Sequence, residues 1–181
     1  VINVSFNTDG DKILTGSFDY TAKIWDVYNN ELLFDLKEHT GEVSSCHFSY
    51  SGNNVVTSSI DKTVKLWYIR KCNKSIHTFK GHSDEVLDCC FNLTGTKIAS
   101  SSTDKTVRIY NTNTLESEFT LKGHKSEVSK ITFNSRGNIL ASASADATAI
   151  MWNADTGEIR QTLSGHNDEI LSCAFNYEGD T

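Results

Sequence analysis

The sequence predicts an all-β protein: a partial β-propeller of about four four-stranded antiparallel blades plus the first strand of another. Two observations predict it. Histidine returns at His39, His82, His124 and His166, and aspartate at Asp19, Asp61, Asp104 and Asp146, every 42 or 43 residues. An aromatic residue then stands six positions after each aspartate, at Trp25, Trp67, Tyr110 and Trp152. A period of this length with GH and WD-like dipeptides marks one four-stranded sheet per repeat.

The repeat that begins at His39 serves as the type. Val43 to Phe48 is the first expected strand, Asn54 to Ser59 the second, Thr63 to Trp67 the third and Ser75 to Phe79 the fourth. These runs are rich in β-branched residues, and Gly, Asn, Asp and Ser separate them. One turn glycine is itself periodic, at Gly10, Gly52, Gly95, Gly137 and Gly179, and is expected to supply a positive φ. The chain has no proline, so glycine and Asx chemistry are expected to make all its turns. In each first strand an apolar residue sits three before a second apolar position, as in Val43/Cys46/Phe48 and Val86/Cys89/Phe91. That offset breaks the alternation of two, so the first member belongs to a bulge or to the start of the strand.

The repeats divide the chain at 1–38, 39–81, 82–123 and 124–165, with 166–181 opening a fifth. The sequence starts inside a first strand and stops after Gly179, so the expectation is a fragment, 1–181, of a larger propeller. Isolated, such a fragment would expose inter-blade faces and strand edges.

Composition narrows the function. The 17 Lys and Arg against 23 Asp and Glu give a formal net charge of −6, which argues against nucleic-acid backbones and anionic membranes. No apolar run reaches the length of a spanning helix, and no signal peptide is expected. No phosphate-loop or close metal-ligand spacing occurs, and no cofactor, metal or small-molecule substrate is expected. Of the five cysteines, Cys46, Cys89 and Cys173 share a repeat position with Ile131, which marks a small apolar core site. They are expected to be free buried thiols in a reducing compartment, with Cys72 apart in a loop.

The repeated polar residues invite a hydrolytic reading. His39, Ser59, Asp61 and Trp67 form one set; His82, Ser102, Asp104 and Tyr110 a second; His124, Ser144, Asp146 and Trp152 a third; Ser17, Asp19 and Trp25 a partial one. A nucleophile needs one exposed copy in a cleft with an oxyanion site, whereas these recur once per blade. They are therefore expected to be buried structural relays, in which aspartate caps its turn and holds histidine, and the serine hydroxyl bridges histidine to the indole N–H. No catalytic residue is assigned.

These residues resemble the WD40 repeat family across essentially the whole chain. The strongest matches are Gly16 to Asp26, Ser58 to Trp67 and Ser101 to Tyr110, with the dipeptides Gly81-His82, Gly123-His124 and Gly165-His166. Departures are local: Glu38 replaces the glycine before His39, and Trp25-Asp26 is the only complete WD dipeptide. Within that family, Val4 to Asp19 and His166 to Gly179 resemble the ciliary dynein assembly factors with WD repeats. That resemblance implies a non-catalytic cytoplasmic adaptor, found also at the cilium or flagellum and basal body, whose partners are outer-arm dynein subunits and intraflagellar transport proteins. The alternatives are a general WD40 scaffold, a ubiquitin-ligase substrate receptor or phosphopeptide reader, and, remotely, an enzyme.

A partner surface follows from the repeat. The loops entering the first strands and those joining second to third strands open on one face, where Glu42, Glu85, Glu127 and Glu169 follow each histidine by three. Phe18 and Ile60 precede their aspartates there. An acidic arc around apolar residues suits a segment with Lys or Arg beside an apolar anchor; the competing reading is that the glutamates complete local turns. Lys23, Lys65 and Arg108 are expected on the outer surface of third strands with no basic patch, and Lys122, Lys125 and Lys130 as a solvated local cluster.

Overall fold

A computed structural model describes residues 1–71 and 74–176. Sixteen strands form four four-stranded antiparallel meanders. The first sheet is β1 Asn3–Phe6, β2 Lys12–Gly16, β3 Ala22–Asp26 and β4 Leu32–Leu36. The second is β5 Val43–Phe48, β6 Asn54–Ser59, β7 Val64–Tyr68 and β8 His77–Phe79. The third is β9 Val86–Phe91, β10 Lys97–Ser102, β11 Thr106–Asn111 and β12 Ser117–Lys122. The fourth is β13 Val128–Phe133, β14 Ile139–Ser144, β15 Thr148–Asn153 and β16 Ile159–Ser164. Among the described residues the only helical turn is a 3₁₀ turn at Ile69–Lys71.

Alternation along the strands makes each sheet apolar on both faces, and that is what stacks them. Val55 and Val56 are adjacent on β6 and point opposite ways. Val55 joins Val43, Cys46 and Trp67 against Leu14, Ile24 and Leu36 of the first sheet. Val56 joins Val64, Leu66 and Phe79 against Val86, Cys89, Ile98 and Tyr110 of the third. A third layer sets Val107, Ile109 and Leu121 against Val128, Ile131, Leu140 and Trp152. Burying each such side chain contributes about 1.5–3 kcal/mol, so the layers between blades, not the hairpins, hold the stack together. First strands neighbour one another from sheet to sheet and form the inner wall.

The bulge expected in the first strands is present in the second, third and fourth sheets, whereas β1 pairs with β2 without a shift. Register shifts between Val43 and Ser45, between the partners of Ser101 and Ser102 (Asp88 and Val86), and between Val128 and Lys130. Each shift lets two apolar residues three apart face the same layer. The turn glycines Gly10, Gly52, Gly95 and Gly137 have φ of 71°, 69°, 71° and 72°, while Gly179 lies outside the described residues.

The turns between second and third strands are Asx turns, and their left-handed position falls to residues with a Cβ: Tyr20, Lys62, Lys105 and Ala147 adopt φ of 72°, 71°, 69° and 64°. A left-handed residue with a Cβ costs roughly 1–2 kcal/mol; the preceding aspartate offsets this by binding the turn, as Asp61 Oδ1 does in accepting the Thr63 N–H and hydroxyl. One expectation is corrected: no further first strand forms between Ile170 and Asn176. Ile170 N–H reaches Ser144 O at 3.1 Å, but no second strand follows among the described residues to complete a ladder.

Candidate functional site: buried relays and the rim they hold

Three relays of the same geometry run through the second, third and fourth sheets. A carboxylate only accepts, so His39 Nδ1–H donates to Asp61 Oδ2 at 2.8 Å. Its Nε2 lies 2.7 Å from Thr57 Oγ1, which also accepts the Trp67 indole N–H at 2.9 Å. His124 repeats this with Asp146 Oδ2 at 3.0 Å and Ser142 Oγ at 2.8 Å, and Trp152 N–H donates to Ser142 at 2.8 Å. His82 binds Asp104 at 2.8 Å and Ser100 at 2.8 Å. Tyr110, in place of tryptophan, brings its hydroxyl only to 3.4 Å from Ser100 Oγ while its ring packs 4.5 Å from Phe79.

The bridging hydroxyl is therefore not the expected one. Thr57, Ser100 and Ser142 bridge, not Ser59, Ser102 and Ser144, and Thr15 rather than Ser17 accepts the Trp25 N–H at 3.0 Å. The expected serines sit two residues before their aspartates, and local geometry captures them. Ser17, Ser59, Ser102 and Ser144 each accept the N–H of Asp19, Asp61, Asp104 and Asp146. The true bridge had a sequence signal: Thr15, Thr57, Ser100 and Ser142 keep the same period, two residues earlier on the same strand face.

Each aspartate ties two chain segments together. Asp61 also accepts Thr40 N–H at 3.0 Å, Asp104 accepts Ser83 N–H at 3.0 Å, and Asp146 accepts Lys125 N–H at 2.7 Å. Burial alone would raise these carboxyl pKa values, but the bonds from histidine, threonine and backbone prevail. Asp61 is held far below the usual carboxylate range, and Asp104 and Asp146 are pulled down to about 2. Burial lowers the His82 pKa, and the neighbouring Arg108 charge lowers it further, against the pull of Asp104. A neutral imidazole, accepting from Ser100 at Nε2, fits those surroundings.

The geometry is that of a hydroxyl–imidazole–carboxylate triad, but its chemistry is closed. Thr57, Ser100 and Ser142 are wholly buried, and an indole N–H occupies two of the three hydroxyls, so no substrate carbonyl can approach them.

Two departures from the repeat are chemically compensated. Where Asp26 closes the turn after β3 by accepting Tyr28 and Asn29 N–H, Asn111 and Asn153 do the same with their amide oxygens. Glu38, in the place of glycine, accepts Ser75 N–H at 3.1 Å and lies 3.7 Å from Lys65 Nζ.

The relays fix the rim on which the expected partner residues lie. The main-chain carbonyls of Glu42, Glu85 and Glu127 accept Ile60, Thr103 and Ala145 N–H, a bond any residue could make. Glu85, Glu127 and Glu169 are exposed and Glu42 is half-buried. Phe18 is 61% exposed, and Ile60 is half-buried, close over Gly41. The inner wall holds a cluster the sequence reading missed. Buried Asp88 accepts Ile131 N–H at 3.1 Å and Lys130 Nζ–H at 3.2 Å, with His47 Nε2 4.0 Å away. Lys130 thus bridges two sheets and does not join Lys122 and Lys125 in a solvated cluster. Cys46 and Cys89 are buried free thiols and Cys90 and Cys173 half-buried ones; burial raises Cys46 to about 12 and Cys173 to about 11. Cys72 lies outside the described residues.

Stacked four-stranded meanders with a histidine–aspartate tie in each linking loop define a β-propeller scaffold. The chain belongs to the WD domain, G-beta repeat family, whose pattern matches residues 1–26, 30–68, 73–111, 115–153 and 157–181. Proteins of this family typically act as non-catalytic platforms for protein–protein interaction. Among individual proteins, the chain is similar to dynein assembly factor with WD repeat domains 1 of Xenopus laevis, 45% identical over 47 residues, and of Danio rerio, 46% identical over 47 residues. Each match covers 26% of this chain and 11% of the relative. Among the described residues no helix is long and apolar enough to cross a membrane.

Proposed function

We propose that the protein is a non-catalytic adaptor that takes part in outer-arm dynein assembly and its intraflagellar transport, binding protein partners on the rim carrying Glu42, Glu85, Glu127 and Glu169. The observation that carries the binding surface is that Glu42, Glu85 and Glu127 use their main-chain carbonyls for the turns. The rim's geometry therefore does not require a carboxylate at that offset. Charge repeated without a fold requirement suits recognition of a basic segment, and Phe18 beside it offers an apolar anchor. The dynein reading draws on the local identity to the two dynein assembly factors. On this reading the protein works in the cytoplasm and at the cilium.

The test is proximity labelling in a ciliated cell with the whole protein and with a Glu85→Lys/Glu127→Lys double variant. Dynein or transport-train subunits should be enriched by the wild type and lost with the variant at unchanged melting temperature. Absence of those subunits from the wild-type labelling would overturn the dynein assignment. Equal labelling by the folded double variant would move the binding surface elsewhere.

A further inference from the structure

The third-strand cations are not equivalent. Lys23 Nζ donates to Asp35 Oδ2 at 2.7 Å on the adjacent strand. Lys65 is buried, donates to Thr78 Oγ1 at 2.9 Å and lies 3.7 Å from the Glu38 carboxylate. Each therefore has a carboxylate from the chain itself. Arg108 stands at the same place in the third sheet and has none among the described residues. Its cross-strand partner is Thr120, where Lys23 faces Asp35. Its loop neighbour is Gly81, where Lys65 has Glu38; a Cβ on Gly81 would fall 2.6 Å from the guanidinium. Arg108 Nε is buried without a hydrogen-bond partner, a costly state for a charged donor.

A cavity of about 570 Å³ opens at this corner, lined by Arg108, Lys105, Lys122, Ser83, Thr106 and Thr120 among others. Asp104 also lines it, but both its oxygens are engaged with His82, Ser83 and Thr106. Three cations therefore face one carboxylate that is already saturated with donors. The hydroxyls of Ser83 and Thr120 add donors beside the guanidinium, which suits a compact anion with several oxygens. In the second sheet this corner is filled from within by Glu38.

We propose that the pocket around Arg108 is an oxyanion site that receives a phosphoryl group carried on a side chain of a partner protein, in the place Glu38 occupies one blade earlier. The pocket opens at the strand ends that bear the glutamate rim, so a bound segment would meet both. The phosphoryl site stands on its own geometry; only its use by a protein partner rests on the adaptor reading.

Titration of the whole protein with inorganic phosphate, followed by calorimetry and by the amide shifts of Ser83 and Thr106, tests the site. A peptide bearing phosphoserine and its unphosphorylated twin then distinguish a protein-borne group from the free ion. Saturable phosphate binding is expected, weakened about tenfold or more in Arg108→Gln and unchanged in Lys125→Gln, with the phosphopeptide bound more tightly than phosphate. Thr120→Asp places a carboxylate opposite Arg108 as Asp35 stands opposite Lys23. It should abolish phosphate binding without lowering the melting temperature, and it decides the matter if Arg108→Gln fails to fold. No saturation in the wild type, or equal binding by folded Arg108→Gln or Thr120→Asp, would overturn the site. Phosphate binding without preference for the phosphopeptide would overturn the protein-borne ligand, and loss of dynein partners alone would leave both intact.

Discussion

Replacing Thr57 by valine keeps the shape of the side chain and deletes only the hydroxyl that joins His39 to Trp67. Two buried polar groups lose their partner at once: the indole N–H, bonded at 2.9 Å in a ring of 0% exposure, and His39 Nε2 at 2.7 Å. A buried group left unsatisfied costs about 1–3 kcal/mol, so the pair should cost about 2–6 kcal/mol. At about 2–4 °C per kcal/mol for a chain of this size, the melting temperature should fall by about 4–24 °C. Ser59→Ala removes one local bond, Asp61 N–H to Ser59 Oγ at 3.1 Å, comparable with the loss of a cap at about 1 kcal/mol. Thermal melts of the two variants side by side give the ordering, and indole N–H exchange in Thr57→Val should accelerate in step. A Ser59→Ala loss equal to or greater than that of Thr57→Val would refute the assignment of the bridge.

The remaining predictions concern charge. Asp104 and Asp146 have folded pKa values depressed to about 2 from 3.8. Their contribution is therefore complete above pH 4 and is lost as pH falls through 2; Asp104→Asn/Asp146→Asn should flatten that part of a stability profile measured by denaturant titration. Asp61→Ala strands His39 and three other donors and should cost about 1–3 kcal/mol or more by the same assay. Asp88→Ala leaves buried Ile131 N–H and Lys130 without their acceptor and should cost about 3 kcal/mol, whereas Asp88→Asn, which keeps one acceptor oxygen, should cost less. An equal loss in both would show that the charge, not the bond to Ile131, is what matters.

Much of the fold was legible because the repeat is one sheet long. The bulge followed from apolar residues three apart where alternation demands two, and the glycine φ values from a position that recurs in every blade. The site was legible only in part. Histidine, aspartate and tryptophan are rare enough for their period to identify them, but serine is common on β6, β10 and β14, and Ser100 to Ser102 offers three candidates in a row. Choosing among them requires knowing that a hydroxyl two residues before an aspartate folds back on that aspartate's own N–H. The cross-blade bonds were out of reach for a different reason. Asp88 meets Lys130 and Ile131 only because neighbouring first strands line one wall, and the third-strand cations differ only through what stands at Glu38, Gly81, Asp35 and Thr120.

The relay also shows why a triad of residues is not a triad of function. In a hydrolase the hydroxyl must have one unfilled direction, toward a carbonyl, and the carboxylate must steady an imidazolium only transiently. Here the indole N–H takes that direction in two sheets and Tyr110 crowds it in the third, so the hydroxyl is a hub between strands. The carboxylate spends its remaining lone pairs on backbone N–H groups of two loops, which pins the linking loop to the adjacent turn. The same three side chains thus convert a proton relay into a clamp. What the clamp holds is the rim, where side chains such as Glu85 and Glu127 stay free to vary because the backbone beneath them does not depend on what they carry.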